Sequence, residues 1–225
     1  MGNRGKLVKK FLNLILNIVF IFLFSSKAWC IEETLVFLAL QKGKQDTAST
    51  APGLLQKDSY YSSLENKHGS LNEKLEVKPT VFSFDFYKIN GNFASGFGLE
   101  MHSYKKSYSF GNEGTSINIS AVGILYGLNF YYRGDFWFPF VGFGTGNYSA
   151  KVKEELKTDS NTSYGTVFGQ VDKPFFYKFG LRIPLNGFGI IITQQYISAN
   201  MKVDTENKPL SLGGIGSFLG IYYGF

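Results

Sequence analysis

Leu212–Phe225 reads LGGIGSFLGIYYGF, and the way it alternates decides the fold. One parity carries Ile215, Ser217, Leu219, Ile221, Tyr223 and Phe225. The other carries Gly214, Gly216, Phe218, Gly220, Tyr222 and Gly224. Successive side chains of a strand point to opposite faces, so this stretch has one apolar face and one glycine-rich face. Such a strand suits a barrel whose apolar outside meets lipid and whose thin inner face lines a lumen.

Working back from this stretch, the same pattern recurs. In Phe188–Asn200, Phe188, Ile190 and Ile192 oppose Gly189, Thr193 and Gln195. In the strand ending at Ile183, Phe175, Tyr177, Phe179 and Leu181 oppose Lys178, Gly180 and Arg182. In Phe136–Val152, Trp137, Val141 and Phe143 oppose Phe140, Gly142, Gly144 and Gly146. Thr115–Tyr132 sets Val122, Ile124, Tyr126, Leu128 and Phe130 against Ala121, Gly123, Gly127 and Asn129. Phe93–Lys105 sets Phe97, Leu99 and Met101 against Gly96, Gly98, Glu100 and His102, and Pro79–Ile89 sets Phe82, Phe84 and Phe86 against Ser83, Asp85 and Tyr87. Thr34–Lys42 supplies a first strand with weaker alternation.

The connections alternate in length. Asn90–Asn92, Arg133–Asp135 and Pro184–Gly187 are tight turns. The stretches 43–78, 106–114, 153–170 and 201–209 are polar, and 43–78 and 153–170 are expected as long exposed loops. Eight strands with this rhythm predict an all-β fold: an eight-stranded antiparallel up-and-down transmembrane β-barrel, with long loops at one rim and tight turns at the other.

A soluble lipocalin-like barrel also alternates, with its apolar face inward. The polar face here argues for the inverted arrangement. It holds glycine, alanine and serine, and few of the lysines and glutamates that a water-facing surface needs. Its charges balance: Asp85, Glu100 and His102 face Lys178 and Arg182. The expectation is a lumen polar network of these five, since buried charges require partners. Tyr131, Tyr132, Trp137 and Tyr223 are expected in an aromatic girdle at the turn rim.

The N-terminus reads as an export signal. Residues 1–30 hold five basic residues and no acidic one, then the apolar run Phe11–Phe24, then Ser25-Ser-Lys-Ala-Trp-Cys30. The run is too short to span as a helix. We therefore read 1–30 as a signal peptide, with candidate cleavage after Ala28 or Cys30, and 31–225 as the barrel. Without those five, 18 basic residues face 17 acidic ones, so the formal +6 disappears and a nucleic-acid partner loses its support. Cys30 is the only cysteine, which excludes an intrachain disulfide.

Two stretches resemble a known family. Phe138–Tyr148, FPFVGFGTGNY, placed just after a short turn, looks like the glycine-alternating strand of small bacterial outer-membrane β-barrels: the OmpA-barrel, OmpX-like and OmpW-like proteins and related surface antigens. The chain end resembles their C-terminal assembly signal through Gly220, Tyr223 and Phe225, although Phe218 stands where a polar residue is usual. The resemblance implies a monomer in the outer membrane, lipid around the barrel, and insertion by the barrel-assembly machinery. It also implies an extracellular partner for the loops; no periplasmic peptidoglycan-binding domain is expected after the barrel, which sets the chain apart from full-length OmpA-type proteins. It offers a surface-interaction role first and an OmpW-like conduit for small hydrophobic solutes second. A lipid A-modifying enzyme comes third.

The remaining motifs have plainer readings. Gly142-Phe-Gly-Thr-Gly146 lacks the following helix of a phosphate loop, so its glycines read as lumen packing. Arg133-Gly-Asp135 is a turn. His102 and the adjacent Ser103 point to opposite faces, and Glu100, His102 and Tyr104 share the lumen without a matching serine, so no catalytic residue is expected. No cluster has metal-ligand spacing, and neither a metal nor a cofactor is expected.

Overall fold

The computed structural model describes residues 33–47, 49–51, 54–55, 60–111, 114–158, 161–203 and 209–224. The expected signal peptide and Phe225 lie outside them. Eight long strands follow in order: β1 (Glu33–Asp46), β2 (Thr80–Asn90), β3 (Phe93–Phe110), β4 (Thr115–Tyr132), β5 (Phe138–Thr158), β6 (Asn161–Leu185), β7 (Phe188–Ser198) and β8 (Gly214–Gly224). Each pairs antiparallel with the next, and β8 returns to β1 with Leu38 opposite Tyr223 and Gln41 opposite Gly220. The sheet is therefore closed, and neither edge of the barrel wall is left open.

The β6–β7 turn shows why its two residues were chosen. Asn186 and Gly187 both take positive φ, 47° and 87°, as a two-residue hairpin turn of the right twist requires. β4 ends at Tyr132 and β5 begins at Phe138, two residues later than the sequence pattern suggests, with Phe136 and Trp137 exposed in the connection.

Side chains divide as the parity requires. Leu219 is 61% exposed, Phe179 54% and Val141 53%, while Phe218, Lys178 and Phe140 beside them are buried. Large apolar groups thus cover the outside of the wall on all eight strands. No helix among the described residues is long and apolar enough to cross a membrane.

Three expectations need correction. First, 153–170 is not a loop. β5 runs on to Thr158 and β6 starts at Asn161, so the stretch forms a long hairpin with Lys153 opposite Thr166. Backbone pairing does not need apolar alternation, and above a lipid belt both faces of a hairpin tolerate polar residues. Second, 43–78 is more ordered than a loop. β1 continues to Asp46, held by β8, and the helix α1 (Tyr60–His68) folds over the barrel. Lys67 and His68 stand in its last turn, favourable for the helix dipole. Gly69 then ends it at φ 90°, donating its N–H to the Glu65 carbonyl at 3.0 Å. Third, Tyr131 does not join the girdle. It points inward, 3% exposed, with its ring edge-on to Tyr87 at 4.7 Å.

Candidate functional site

The barrel interior is built in three layers, and the charged residues form the middle one. The layer toward the tight turns is apolar: Phe37, Ile89, Tyr131, Phe140, Ile191 and Tyr222 pack together. The layer on the opposite side joins Tyr104, Tyr108, Phe110, Ile117, Leu125 and Phe176 to Tyr60, Tyr61 and Leu64 of α1. α1 thereby closes the mouth. Its Tyr60 hydroxyl donates to the Glu154 carboxylate on β5, and the Tyr61 ring meets Tyr108 edge-on at 5.4 Å.

Between the two layers, Asp85, Glu100, His102, Lys178 and Arg182 are each at most 4% exposed. The structure connects all five. Arg182 donates to the Asp85 carboxylate and, at 3.2 Å, to the Tyr87 hydroxyl. Lys178 lies 3.8 Å from the other Asp85 oxygen and donates to Glu100. The second Glu100 oxygen sits 3.0 Å from His102 Nε2 and accepts from Gln195 at 2.9 Å. Asn129 donates to Asp85 at 2.6 Å, and Thr193 donates to Gln41 at 2.8 Å close by. Arg182 is also held between aromatic faces, 4.4 Å from the Phe37 ring centre and 4.7 Å from that of Phe140.

The lumen glycines make room for this array. A Cβ at Gly98 would fall 2.6 Å from the Asp85 carboxylate, and one at Gly142 would fall 2.8 Å from Lys178 Cε. Both would also collide with the Asn129 amide, and one at Gly123 would enter the Tyr148 ring. Gly98 on β3 and Gly142 on β5 are therefore the space that the charged side chains and Asn129 occupy, and Gly123 on β4 is the space of the Tyr148 ring.

Parity placed the five ionisable residues in the lumen. It gave Asn129, Thr193 and Gln195 the same face but no role; Asn129 and Gln195 donate to the two carboxylates, and Thr193 donates to Gln41. Gln41 and the α1 residues carried no sequence signal. Ser83 is a lumen serine opposite Glu100 in the β2–β3 register, but its Oγ makes no hydrogen bond among the described residues. His102 instead spends Nε2 on Glu100, so no serine–histidine pair forms. Among the described residues no group of acidic, histidine or cysteine side chains has the makings of a metal site.

What this arrangement does is tie β2, β3, β6 and β7 together across the lumen. Two cations and two carboxylates neutralise one another in a buried layer, with apolar side chains packed on both sides.

No family model matches the chain, and no curated protein matches it. Solved structures of similar outline include the attachment invasion locus protein Ail of Yersinia pestis, at 13% identity, 85% of this chain, 97% of that one and a TM-score of 0.40. Neisserial surface protein A is 11% identical over 86% of this chain and 100% of its own, at a TM-score of 0.45. The N-terminal β-barrel domain of Pseudomonas aeruginosa OprF is 13% identical over 85% and 97%, at 0.38. The fold assignment rests on strand order, closure and the polarity of the two faces: the chain is a closed, eight-stranded antiparallel barrel, the architecture of the small outer-membrane β-barrels its sequence resembles.

Proposed function

We propose that this chain is an integral outer-membrane protein whose barrel serves as a rigid anchor. Its crown, made of α1, the β5–β6 hairpin and the loops beside them, meets partners outside the cell. One observation carries this reading: the barrel is apolar where a soluble protein would be wet, and packed where a channel would be open. Exposed Leu128, Val141, Phe179, Ile192 and Leu219 girdle the wall, and the interior holds paired charges between two apolar layers. Exposed contiguous apolar surface on this scale requires a lipid or protein partner.

The same packing weighs against the conduit reading, since a solute would have to break the Arg182–Asp85–Lys178–Glu100 chain. It weighs equally against catalysis, because the Glu100–His102 pair is enclosed from substrate. Outer-membrane lipid and the barrel-assembly machinery, through β8, are the partners this reading requires. Export through residues 1–30 is part of the same proposal.

The test is gel mobility with and without boiling, on outer-membrane and soluble fractions, followed by planar-bilayer recording of the purified protein. A heat-modifiable band in the outer membrane and no steady current supports the anchor. A soluble periplasmic protein without a mobility shift overturns it. A steady current abolished by Lys178→Gln or Arg182→Gln would replace it with the conduit.

A further inference from the structure

The outer wall is not uniform. On β2 to β5 its apolar rows carry rings: Phe82, Phe84, Phe86, Phe97, Phe130 and Phe143 point outward. On β6, β7 and β8 the centre of the wall is aliphatic. Ile183, Ile190 and Ile221 stand in one row, and Leu181, Ile192 and Leu219 in the next. These six side chains without a ring form a low, even face. Toward the tight turns it ends at Phe188 and Tyr223, whose ring centres are 5.0 Å apart. Toward the crown the next row is polar. Gln194 of β7 lies opposite Ser217 of β8, and the Ser217 hydroxyl donates to Gln194 Oε1 at 2.7 Å.

Apolar outward groups border this polar row on three sides. Beside it on β6 is Phe179, opposite Gln194 and exposed. One outward step along the strands, about 7 Å, brings Ile192 and Leu219 in one direction and Tyr196 and Ile215 in the other. Only toward β1 does a charge follow: Lys44 lies opposite Ser217 and turns to Glu76 at 3.4 Å. A primary amide offers two donors and an acceptor with two lone pairs. Ser217 takes one lone pair of Oε1, and the Gln194 N–H groups meet no acceptor among the described residues. Acyl chains supply none, so an unspent donor at a lipid-facing wall costs free energy that a protein neighbour removes.

Resting on the membrane reading above, we propose that this face of β6, β7 and β8 pairs with a second copy of the chain. The family resemblance implies a monomer, and this row is where the chain departs from it. All copies insert with the same end up, so the two-fold axis of a closed pair runs along the membrane normal and brings equal heights together. With the axis at the β7–β8 seam, Gln194 meets Gln194 of the second copy. Each Nε2 donates to the other Oε1, which keeps a second lone pair beside its bond from Ser217. The aliphatic rows pack against their own images, because side chains with no ring to stand proud let two walls approach closely. Pairing here leaves both crowns open to partners and both interiors packed.

The experiment uses the protein as purified from outer membranes, with Cys30→Ala and a dye on Thr162→Cys of the exposed hairpin. It is reconstituted in phosphatidylcholine vesicles, and heat-modifiable mobility is checked first for every variant. Donor- and acceptor-labelled copies are mixed over a range of protein-to-lipid ratios, and energy transfer reads the pair. Transfer should exceed random proximity and follow a monomer–dimer curve. Gln194→Leu should weaken pairing roughly thirty-fold, the loss of two hydrogen bonds inside a membrane. Ile192→Trp, which raises a ring from the even face, should abolish it. Thr145→Val, a polar outward residue of β5, should pair as the parent does. Transfer that never exceeds random proximity in a parent with intact mobility overturns the proposal. An unchanged curve for either Gln194→Leu or Ile192→Trp does too, because association would then use another face. Failure of the parent to show a mobility shift refutes the membrane reading instead, and is seen before any transfer is measured.

Discussion

Arg182 offers the sharpest test of the packed interior. Its guanidinium is fully buried, bonded to Asp85 and Tyr87 and enclosed by the rings of Phe37 and Phe140. Arg182→Met keeps much of the volume and removes the charge. It leaves Asp85 with Lys178 at 3.8 Å and Asn129 at 2.6 Å, so the carboxylate is under-compensated rather than bare. Breaking one side of a buried pair costs about 3–5 kcal/mol, and the remaining lysine argues for the lower end, about 3 kcal/mol. Asp85→Asn in the same chain removes the stranded charge. The double variant should therefore recover about 1–3 kcal/mol relative to the sum of the single changes. Reversible urea unfolding in vesicles, followed by tryptophan fluorescence and gel mobility, measures all corners of this cycle. If Arg182→Met costs less than about 1 kcal/mol, or the two changes simply add, the charged layer does not hold the barrel and the reasoning fails.

Other consequences follow from the same packing. Gly142→Ala should destabilise the barrel by about 1–3 kcal/mol, because its Cβ meets Asn129 and Lys178; the same unfolding assay measures it, and a neutral result would mean the layer is loose. Leu64→Ala on α1 should cost about 2–5 kcal/mol locally, read as faster hydrogen exchange at 60–68 while the barrel strands stay protected. Burial pushes the Tyr108 hydroxyl up to about 12, whereas in an unfolded chain it ionises near 10. The folded crown therefore binds this proton more tightly. Its stabilisation is intact below pH ~10 and falls by up to about 2–3 kcal/mol as pH rises toward ~12. Alkaline titration followed by tyrosinate absorbance should show Tyr108 ionising late and together with loss of α1 protection; titration near 10 without that loss would contradict its burial.

The residues of the wall were readable one strand at a time. In β2, Phe82, Phe84 and Phe86 take one side and Ser83, Asp85 and Tyr87 the other, and a two-residue period leaves no freedom about which is which. The crown was not readable in that way. Thr162, Thr166 and Lys153 give no alternating signal, yet their backbones pair in a hairpin of 21- and 25-residue strands because the neighbouring strand supplies the hydrogen bonds. α1 has only a weak apolar stripe, and its helix is held by the tyrosines and leucine it buries rather than by its own propensity. Tyr131 was misplaced for a related reason. An aromatic next to a turn suits either face, and only its parity with Asn129 sends it inward to Tyr87.

By itself, then, the sequence determined the eight strands of the wall, the face taken by most of their side chains, and the inversion of polarity that calls for lipid outside. These are local consequences of a two-residue period and of turns such as Asn186-Gly187. Only the tertiary structure decided that Asp85 takes Arg182, that Glu100 takes Lys178 and Gln195, and that Gln194 takes Ser217 on the outer wall. Those partners stand up to 97 residues apart in the chain. Their meeting depends on the register between strands and on the closure of β8 against β1, which parity along a single strand does not contain.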